Sequence, residues 1–270
     1  SGMPERALFQ PFGREDLRKL AFWMATGSGK TLLLHFNLRQ YRHYFPGPLN
    51  NILLITPNEG LSAQHITEAR ASGIQVERFD PERPALLPGG DVLQVIEITK
   101  LVEDKKGGGV TVPVARFLRE GVPNLVFVDE GHKGSGGEVW KGYRDQLGAT
   151  GFTFEYSATF GQALNAAGNE DLLAEYGKAI VFDYSYRYFH GDGFGKDFRL
   201  LNVDSEDAET RDALMGANLL SYYQQLRVYG NGTDWRPYGI AKPLWVYVGA
   251  SVNSGKTGGS DIATVLAFLD

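Results

Sequence analysis

The segment Ala25-Thr26-Gly27-Ser28-Gly29-Lys30-Thr31 has the residue types of a loop that binds phosphate groups. It lies between the apolar run Leu20–Met24 and a helical pattern, which is the strand–loop–helix context that such a loop requires. Glycines let backbone N–H groups turn towards a phosphate, and the helix N-terminus adds partial positive charge at the same point. We therefore expect ATP to be bound by Thr26, Gly27, Ser28, Gly29, Lys30 and Thr31.

Two side chains of this segment have distinct expected roles. Lys30 would reach the β- and γ-phosphates, and the Thr31 hydroxyl would ligate Mg²⁺. The strict form of the loop has glycine where Met24 stands. Because the lysine, the threonine and the preceding strand are all in place, a chance glycine-rich turn is the weaker interpretation.

A pair of carboxylates, Asp129 and Glu130, follows the apolar run Leu125–Val128. We expect Asp129 to hold Mg²⁺ and Glu130 to orient and deprotonate the attacking water. With Lys30, these two are the predicted catalytic residues. An isolated acidic pair at a strand end is more often a solvated turn. Its place after a phosphate loop, in a chain of alternating strands and helices, favours the nucleotide site instead.

Small hydroxyl residues follow a third apolar run, Phe152–Tyr156. Ser157 and Thr159 could bond the carboxylates of the acidic pair and report whether the γ-phosphate is present. His132 would share this coupling role, although a merely exposed histidine is the alternative. Standing alone, the Ser-Ala-Thr segment would be interpreted as a turn.

Short runs rich in Val, Ile, Leu and Phe predict strands that are buried on both faces of a parallel sheet. The predicted strands are Leu20–Met24, Asn51–Thr56, Val92–Ile98, Leu125–Val128 and Phe152–Tyr156. The helical stretches between them are Thr31–Tyr44, Leu61–Ala71, Val114–Arg119 and Glu138–Leu147. This alternation predicts an α/β fold with an open, mostly parallel sheet.

The alternation loosens after Thr159. The elements predicted there are strands at Ala179–Asp183, Phe198–Val203 and Leu244–Val248, a long helix from Ser205 to Gly230, and a last helix capped by Ser260-Asp261. The segment Ala250–Thr257 resembles a second phosphate loop, but no helix begins directly at its lysine, so a mobile loop is the preferred interpretation. A strand and helix that begin so late cannot build a second core, and we expect a truncated second domain.

Composition limits the function classes. Hydrophobic residues make up 43% and charged residues 22%, which is ordinary globular usage and excludes general disorder. The formal net charge of −5 gives no bulk sign of a nucleic-acid binder, so such a contact would have to be local. No apolar run is long enough to span a bilayer and no signal peptide opens the chain. Together with the absence of cysteine, this predicts a cytoplasmic protein without a membrane partner or a thiolate zinc site.

The order Gly-Ser-Gly-Lys-Thr, Asp-Glu-Gly-His, Ser-Ala-Thr, each at a strand end, resembles the first motor domain of superfamily 2 DEAD/DEAH-box helicases and translocases. Met24–Thr31 is most similar to the loop of the restriction-subunit (type III Res-like) members. Over about residues 15–160, the resemblance implies a RecA-like P-loop NTPase with helices on both faces of the sheet. It also implies DNA contacts at Pro57, Asn58, Gln64, Thr99 and Lys100.

The resemblance implies an ATP- and Mg²⁺-dependent DNA helicase or translocase of a restriction or related DNA-processing enzyme. The implied partners are DNA, as duplex or single strand, a second RecA-like domain of the same chain, and a nuclease or methyltransferase domain or subunit. The expected boundaries are 1–14 for a lead-in with a tag scar, 15–203 for the first motor domain, 204–242 for a helix and linker, and 243–270 for the truncated start of the second domain. Because the family's arginine finger belongs to the second domain, we expect little or no turnover from this chain alone.

Two other classes of protein stay open. One is a P-loop ATPase switch or small-molecule kinase, which would need neither the Ser157–Thr159 element nor DNA. The other is a catalytically silent module that docks on nucleic acid. The intact set of Lys30, Thr31, Asp129 and Glu130 disfavours this module, since it would have no chemical need of all four.

Overall fold

The computed structural model describes residues 11–80, 91–102, 111–130, 137–167, 170–195, 207–232, 234–247 and 261–269. His132, the predicted strand Phe198–Val203, the expected helix start at Ser205 and the loop Ala250–Thr257 lie outside these residues. The chain divides into two compact units, Ser1–Lys196 and Asp197–Asp270, and each is described by itself. Within the described ranges, no helix is both long and apolar enough to cross a membrane.

A seven-stranded sheet forms the centre of the first unit, and all its described pairings are parallel. Its strands are β1 (Lys19–Met24), β2 (Ile52–Thr56), β3 (Val76–Arg78), β4 (Leu93–Glu97), β7 (Leu125–Asp129), β8 (Phe152–Ser157) and β9 (Ile180–Tyr184), while β5 (Leu101–Val102) and β6 (Val112–Pro113) pair separately. The spatial order is β3-β4-β2-β7-β8-β1-β9. The predicted mostly parallel α/β sheet is therefore confirmed.

Helices cover both faces of this sheet. The helices of the first unit are α1 (Lys30–Tyr44), α2 (Glu59–Ala71), α3 (Gly137–Gly148), α4 (Phe160–Ala167), α5 (Glu170–Ala179) and α6 (Tyr186–Gly191). The second unit has its own helices, α7 (Ala208–Asn231) and α8 (Asp261–Leu269). Successive strand residues point to opposite faces. Accordingly, Leu54 of β2 packs in one core with Leu34 of α1 and Ala69 of α2, whereas Leu53 packs in another core with Leu147 of α3.

A buried carboxylate ties β8 to the elements around it. Glu155 is fully buried, lies 3.2 Å from Lys19 Nζ on β1, and accepts a hydrogen bond from the Tyr176 hydroxyl on α5. Arg144 of α3 lies 3.8 Å from the same carboxylate. Burial alone would raise the pKa of Glu155, but the charges of Lys19 and Arg144 outweigh it and lower the pKa to about 2. Glu155 is therefore ionised and compensated inside the fold.

The predicted helix Val114–Arg119 is wrong, because only a 3₁₀ turn, Val114–Phe117, forms there. Val114 and Phe117 are both buried, and their spacing of three residues anchors a single 3₁₀ turn to the core. The backbone is already extended at Leu118, so no further helical turn follows.

The predicted strand Leu244–Val248 is also wrong over its described part. Residues 244–247 are irregular, and no described strand pairs with them. A strand needs a hydrogen-bonded neighbour. Leu244 and Val246 are instead exposed, while Trp245 stacks on Tyr222 of α7.

The long helix of the second unit is confirmed as α7, but its cap differs from the expected one. The Asp207 carboxylate accepts a hydrogen bond of 2.7 Å from the Thr210 backbone N–H. This is the usual N-cap arrangement, which satisfies a donor in the first turn. The described helix therefore begins at Ala208 and ends at Asn231.

Candidate functional site

The predicted site residues follow the carboxyl ends of parallel strands, which meet at one edge of the sheet. The phosphate loop follows β1, Glu130 follows β7, and Ser157 closes β8. Asn58 comes soon after β2, and Thr99 soon after β4. In the spatial order β4-β2-β7-β8-β1, the residues predicted to contact nucleic acid lie at one half of this edge. The residues predicted to bind the nucleotide lie at the other half.

The phosphate loop depends on two glycines in the left-handed backbone region. Gly27 has a φ of 82° and Gly29 a φ of 95°. A Cβ added at either position would meet no heavy atom within 4 Å, so the conformation rather than crowding requires glycine in this structure. Ser28 fastens the turn by donating its hydroxyl to the Ala25 carbonyl at 2.7 Å. Because α1 begins at Lys30, the loop lies at the positive end of a 15-residue helix.

Lys30 and Glu130 meet across this edge. Lys30 Nζ lies 3.1 Å from Glu130 Oε1, and each side chain is only 14% exposed. Glu130 has a φ of 55°, a left-handed conformation that a glutamate adopts only under constraint. Its backbone N–H donates to the Tyr156 carbonyl at 2.9 Å, which fixes this turn against β8. The strand therefore ends at Asp129, and Glu130 turns away towards the phosphate loop.

Asp129 is held by a residue of α2. Its Oδ2 lies 2.8 Å from His65 Nε2, and both side chains are almost entirely buried. The carboxylate of Asp129 is thus bonded by His65. It is not bonded by the hydroxyl of Ser157 or Thr159, which we expected from the sequence as possible partners. Its other oxygen, Oδ1, makes no hydrogen bond to any of the described residues.

The Ser-Ala-Thr segment forms a local turn at the end of β8. Ser157 is fully buried, and its hydroxyl accepts a hydrogen bond of 3.0 Å from the Thr159 backbone N–H. In the same strand, Tyr156 faces α1 and its hydroxyl accepts a bond of 2.7 Å from Asn37 Nδ2. Burial raises the pKa of Tyr156, and the nearby Asp129 charge adds to this effect. The phenol therefore stays neutral beside the site.

The five residues predicted to contact nucleic acid have different local roles. Asn58 is exposed and caps α2, since its side chain accepts a bond of 3.0 Å from the Leu61 backbone N–H. Gln64 is exposed six residues later on the same helix. Thr99 is exposed, Pro57 is half-buried, and Lys100 pairs with the buried Glu97. Pro57 and Asn58 thus lie at the start of α2, with Gln64 near the middle of this helix, and Thr99 and Lys100 lie at the neighbouring strand end.

The donor set near the phosphate loop suits Mg²⁺. The hydroxyl of Thr31 and the carboxylate of Asp129 are hard oxygen ligands, which Mg²⁺ prefers. Across the described part of the chain there is no cluster of three or more His, Cys, Asp or Glu side chains that could hold a metal ion. Two protein oxygens with phosphate and water completing the shell is the usual way that Mg²⁺ is held beside a nucleotide.

Sequence reasoning missed His65. The histidine lies on α2 with Ser62 and Ala69, at the buried positions of that helix. The sequence places the polar ring of His65 at a buried position of a predicted helix, which could have marked it as a functional residue. Its spacing from the other histidines matches no metal site. The contact with Asp129 follows from the sheet order, in which β2 lies beside β7, because α2 directly follows β2.

Residues 6–162, more than half of the 270-residue chain, match the family model described as the type III restriction enzyme, res subunit. No curated protein matches the sequence.

Similar solved structures include the UvsW helicase of bacteriophage T4, at 16% identity and a TM-score of 0.41, covering 62% of this chain and 54% of that chain. The SWI2/SNF2 ATPase core of Sulfolobus solfataricus, solved with dsDNA, has 13% identity and a TM-score of 0.41, covering 82% and 51% of the two chains. Dbp5 of S. cerevisiae, bound to RNA and ADP BeF3, has 11% identity and a TM-score of 0.39, covering 67% and 50%.

This chain spans about half the length of these proteins. The mostly parallel sheet agrees with the predicted α/β fold, and the family model confirms the predicted resemblance to the restriction-subunit proteins. On the family match, the chain belongs to the family of the type III restriction enzyme res subunit.

Proposed function

We propose that this chain is the first motor domain of an ATP-driven DNA helicase or translocase, in a restriction or related DNA-processing enzyme. The observation that best supports the proposal is the 3.1 Å contact between Lys30 of the phosphate loop and Glu130 after β7. These residues are 100 positions apart in the sequence, yet their charged atoms share one mostly buried position at the ligand-binding edge of the sheet.

The proposed reaction begins when ATP binds and its phosphates replace Glu130 as the partner of the Lys30 ammonium group. A lysine at the start of α1 can then neutralise charge on the β- and γ-phosphates, while the loop N–H groups bind their oxygens. The released Glu130 carboxylate orients a water in line with the γ-phosphorus. As the new O–P bond forms, Glu130 accepts the water proton and ADP leaves with the electrons of the broken P–O bond.

Thr31 and Asp129 are the residues that would hold Mg²⁺ in this site. When bound, the ion neutralises charge that develops on the phosphate oxygens. Ser157 and Thr159 lie at the end of β8, between the strands that precede the phosphate loop and Glu130. We assign them, together with His132, to the coupling of the nucleotide state with movement.

The nucleic-acid side of the proposal rests on α2 and on the turn after β4. Asn58 and Gln64 are exposed on α2, whose N-terminus favours a phosphate group of a nucleic-acid backbone. Pro57, Thr99 and Lys100 extend this surface along the same edge. The family's name, a restriction-enzyme subunit, supports DNA as the nucleic acid.

Residues 15–203 are the proposed motor domain, 204–242 a helix and linker, and 243–270 the start of a second motor domain. Nuclease or methyltransferase domains or subunits would be further partners. Because a stabilising arginine supplied by another domain is worth about 10³–10⁵ in rate, we expect this chain alone to turn over ATP slowly or not at all.

ATP hydrolysis by a chain extended through the second motor domain tests this proposal, measured with duplex DNA, single-stranded DNA, RNA or no nucleic acid. Stimulation by DNA above that by RNA is the expected result. An ATP hydrolysis rate that no nucleic acid changes would contradict the translocase function and favour a P-loop switch or kinase. Salt-dependent DNA binding without hydrolysis would favour a silent docking module.

A further inference from the structure

His65 makes a specific contact that the proposed reaction does not use. The side chain is almost completely buried on α2, and its Nε2 lies 2.8 Å from Asp129 Oδ2. The second ring nitrogen, Nδ1, is buried and has no hydrogen-bond partner in the described part of the chain. Because an ionised carboxylate can only accept, the hydrogen-bond pattern assigns the ring proton to Nε2. The imidazole therefore donates to Asp129, and only to Asp129.

The helix that supplies His65 also presents the proposed nucleic-acid residues. Asn58 caps the first turn of α2, and Gln64 immediately precedes His65 but is exposed. The helix is fixed to β2 through the Ser62 hydroxyl, which lies 2.6 Å from the Thr56 hydroxyl. One helix thus exposes Asn58 and Gln64, the proposed nucleic-acid residues, and contacts Asp129 through the buried His65.

The His65–Asp129 contact lies where it can orient the Asp129 carboxylate within the proposed nucleotide site. β2 and β7 are neighbours in the sheet, and the His65–Asp129 bond spans the boundary between the two halves of its functional edge. With Oδ2 engaged by His65, Oδ1 makes no bond to the described residues. A partner that fixes one carboxylate oxygen also fixes the direction of the other.

We propose that His65 is a positioning residue that orients the Asp129 carboxylate towards a divalent cation and links that carboxylate to the nucleic-acid-facing helix α2. This inference rests on the proposed function. His65 does not touch the nucleotide in this scheme; it acts through Asp129. Loss of a comparable outer partner typically lowers metal affinity by roughly 10–100-fold.

Two substitutions of His65 and one control separate this role from simple packing. His65→Leu fills similar space without a donor, whereas His65→Gln keeps an N–H at a similar reach from the backbone. His35→Leu is the matched control, because His35 is also a buried histidine but its Nδ1 bonds the Ser72 hydroxyl at 2.9 Å, whereas the Asp129 carboxylate is bonded by His65. Denaturant unfolding of each variant reports the cost to the fold.

The main readout is equilibrium binding of a fluorescent ADP analogue, titrated with Mg²⁺ and with EDTA in its place. We expect His65→Leu to raise the Mg²⁺ concentration needed for half-maximal binding by roughly 10-fold or more. Binding in EDTA should change little, His65→Gln should recover most of the Mg²⁺ response, and His35→Leu should match wild type. In the extended chain, the Mg²⁺ dependence of DNA-stimulated hydrolysis should shift in the same order.

Three results would overturn the inference. The first is a His65→Leu variant that binds Mg²⁺ and ADP as wild type does, and the second is a His35→Leu variant that loses as much. Should His65→Leu fail to fold, nitrogen-15 NMR of the wild-type histidine rings is decisive. We expect a protonated His65 Nε2 whose resonance shifts when Mg²⁺ is added to the ADP complex, and an unshifted resonance is the third contrary result. If wild type binds no nucleotide at all, the proposed function fails, and this inference fails with it.

Discussion

Lys30 Nζ and Glu130 Oε1 lie 3.1 Å apart, with both side chains largely excluded from solvent. The lysine begins α1 directly behind the phosphate loop, and the glutamate follows β7 in a left-handed turn. Each charge therefore neutralises the other at the place where the proposed γ-phosphate would lie. ATP binding would exchange this contact for a contact between Lys30 and phosphate, and would release Glu130 to act on water.

Lys30→Ala is expected to abolish ATP binding, because it removes the only side-chain cation of the phosphate loop. Lys178→Ala is a matched control. Lys178 is 16% exposed and lies 2.8 Å from Asp16, but on α5, away from the phosphate loop. Titration with a fluorescent ATP analogue should show lost binding for Lys30→Ala alone. Equal loss in both variants would mean that ion-pair removal perturbs the fold rather than the site.

The left-handed conformation of Glu130 predicts an unusual order of stabilities. In Glu130→Ala and Glu130→Gly, the contact with Lys30 is absent, so the two variants differ mainly in backbone strain. A left-handed alanine costs about 1–2 kcal/mol, which exceeds the roughly 0.4–1 kcal/mol by which glycine's freedom favours the unfolded chain. We expect Glu130→Gly to be the more stable variant by about 1 kcal/mol in denaturant unfolding. A more stable Glu130→Ala would contradict the strained turn.

Asn58 should have separable structural and binding roles. Asn58→Ala removes the α2 cap and is expected to cost about 0.5–2 kcal/mol of stability, whereas Asn58→Asp keeps a capping oxygen. The added negative charge of Asn58→Asp should nevertheless repel a nucleic-acid phosphate. The measurements are unfolding in denaturant and DNA affinity in the extended chain. Unchanged DNA affinity in Asn58→Asp would remove this residue from the proposed surface.

The buried charge of Glu155 predicts how stability depends on pH. Its pKa falls from an ordinary value of 4.5 to about 2, so its stabilising effect is complete above about pH 4.5 and is lost as the pH falls towards 2. Glu155→Gln leaves Lys19 and Arg144 without this buried carboxylate, and should lower the free energy of unfolding by about 3–5 kcal/mol at pH 7. The difference from wild type should shrink between pH 4.5 and pH 2. A difference that stays constant across this range would show that Glu155 does not titrate as proposed.

Much of the first unit could be predicted from local pattern. Continuous apolar runs specify strands buried on both faces, and Ile52–Thr56 and Leu125–Asp129 lie within one or two residues of their predicted bounds. The strand and helix on either side of the predicted phosphate loop also form as expected, with β1 ending at Met24 and α1 beginning at Lys30. The short strand Val76–Arg78 was not predicted, because three residues are too few to show the alternation or apolar run of a strand.

Other features depend on tertiary contacts that local pattern does not encode. The spatial order of strands decides that His65 meets Asp129, and no spacing in the sequence specifies that order. The turn at Glu130 is held by Tyr156 of the neighbouring strand, against the preference of a glutamate. Leu244–Trp245-Val246 has the composition of a strand but lacks a described strand to pair with. In each case, contacts between distant parts of the chain decide the local structure, and the local sequence does not specify those contacts.

Glu130 is the proposed base for ATP hydrolysis at the edge of the sheet. The most direct test of this role compares ATP binding and DNA-stimulated hydrolysis of wild type and Glu130→Gln in the extended chain. Glutamine keeps the size and a hydrogen bond but cannot accept the water proton at neutral pH. We predict that Glu130→Gln binds ATP at least as well as wild type while its hydrolysis falls by a factor of about 10² or more. Hydrolysis at the wild-type rate in Glu130→Gln would show that Glu130 is not the base.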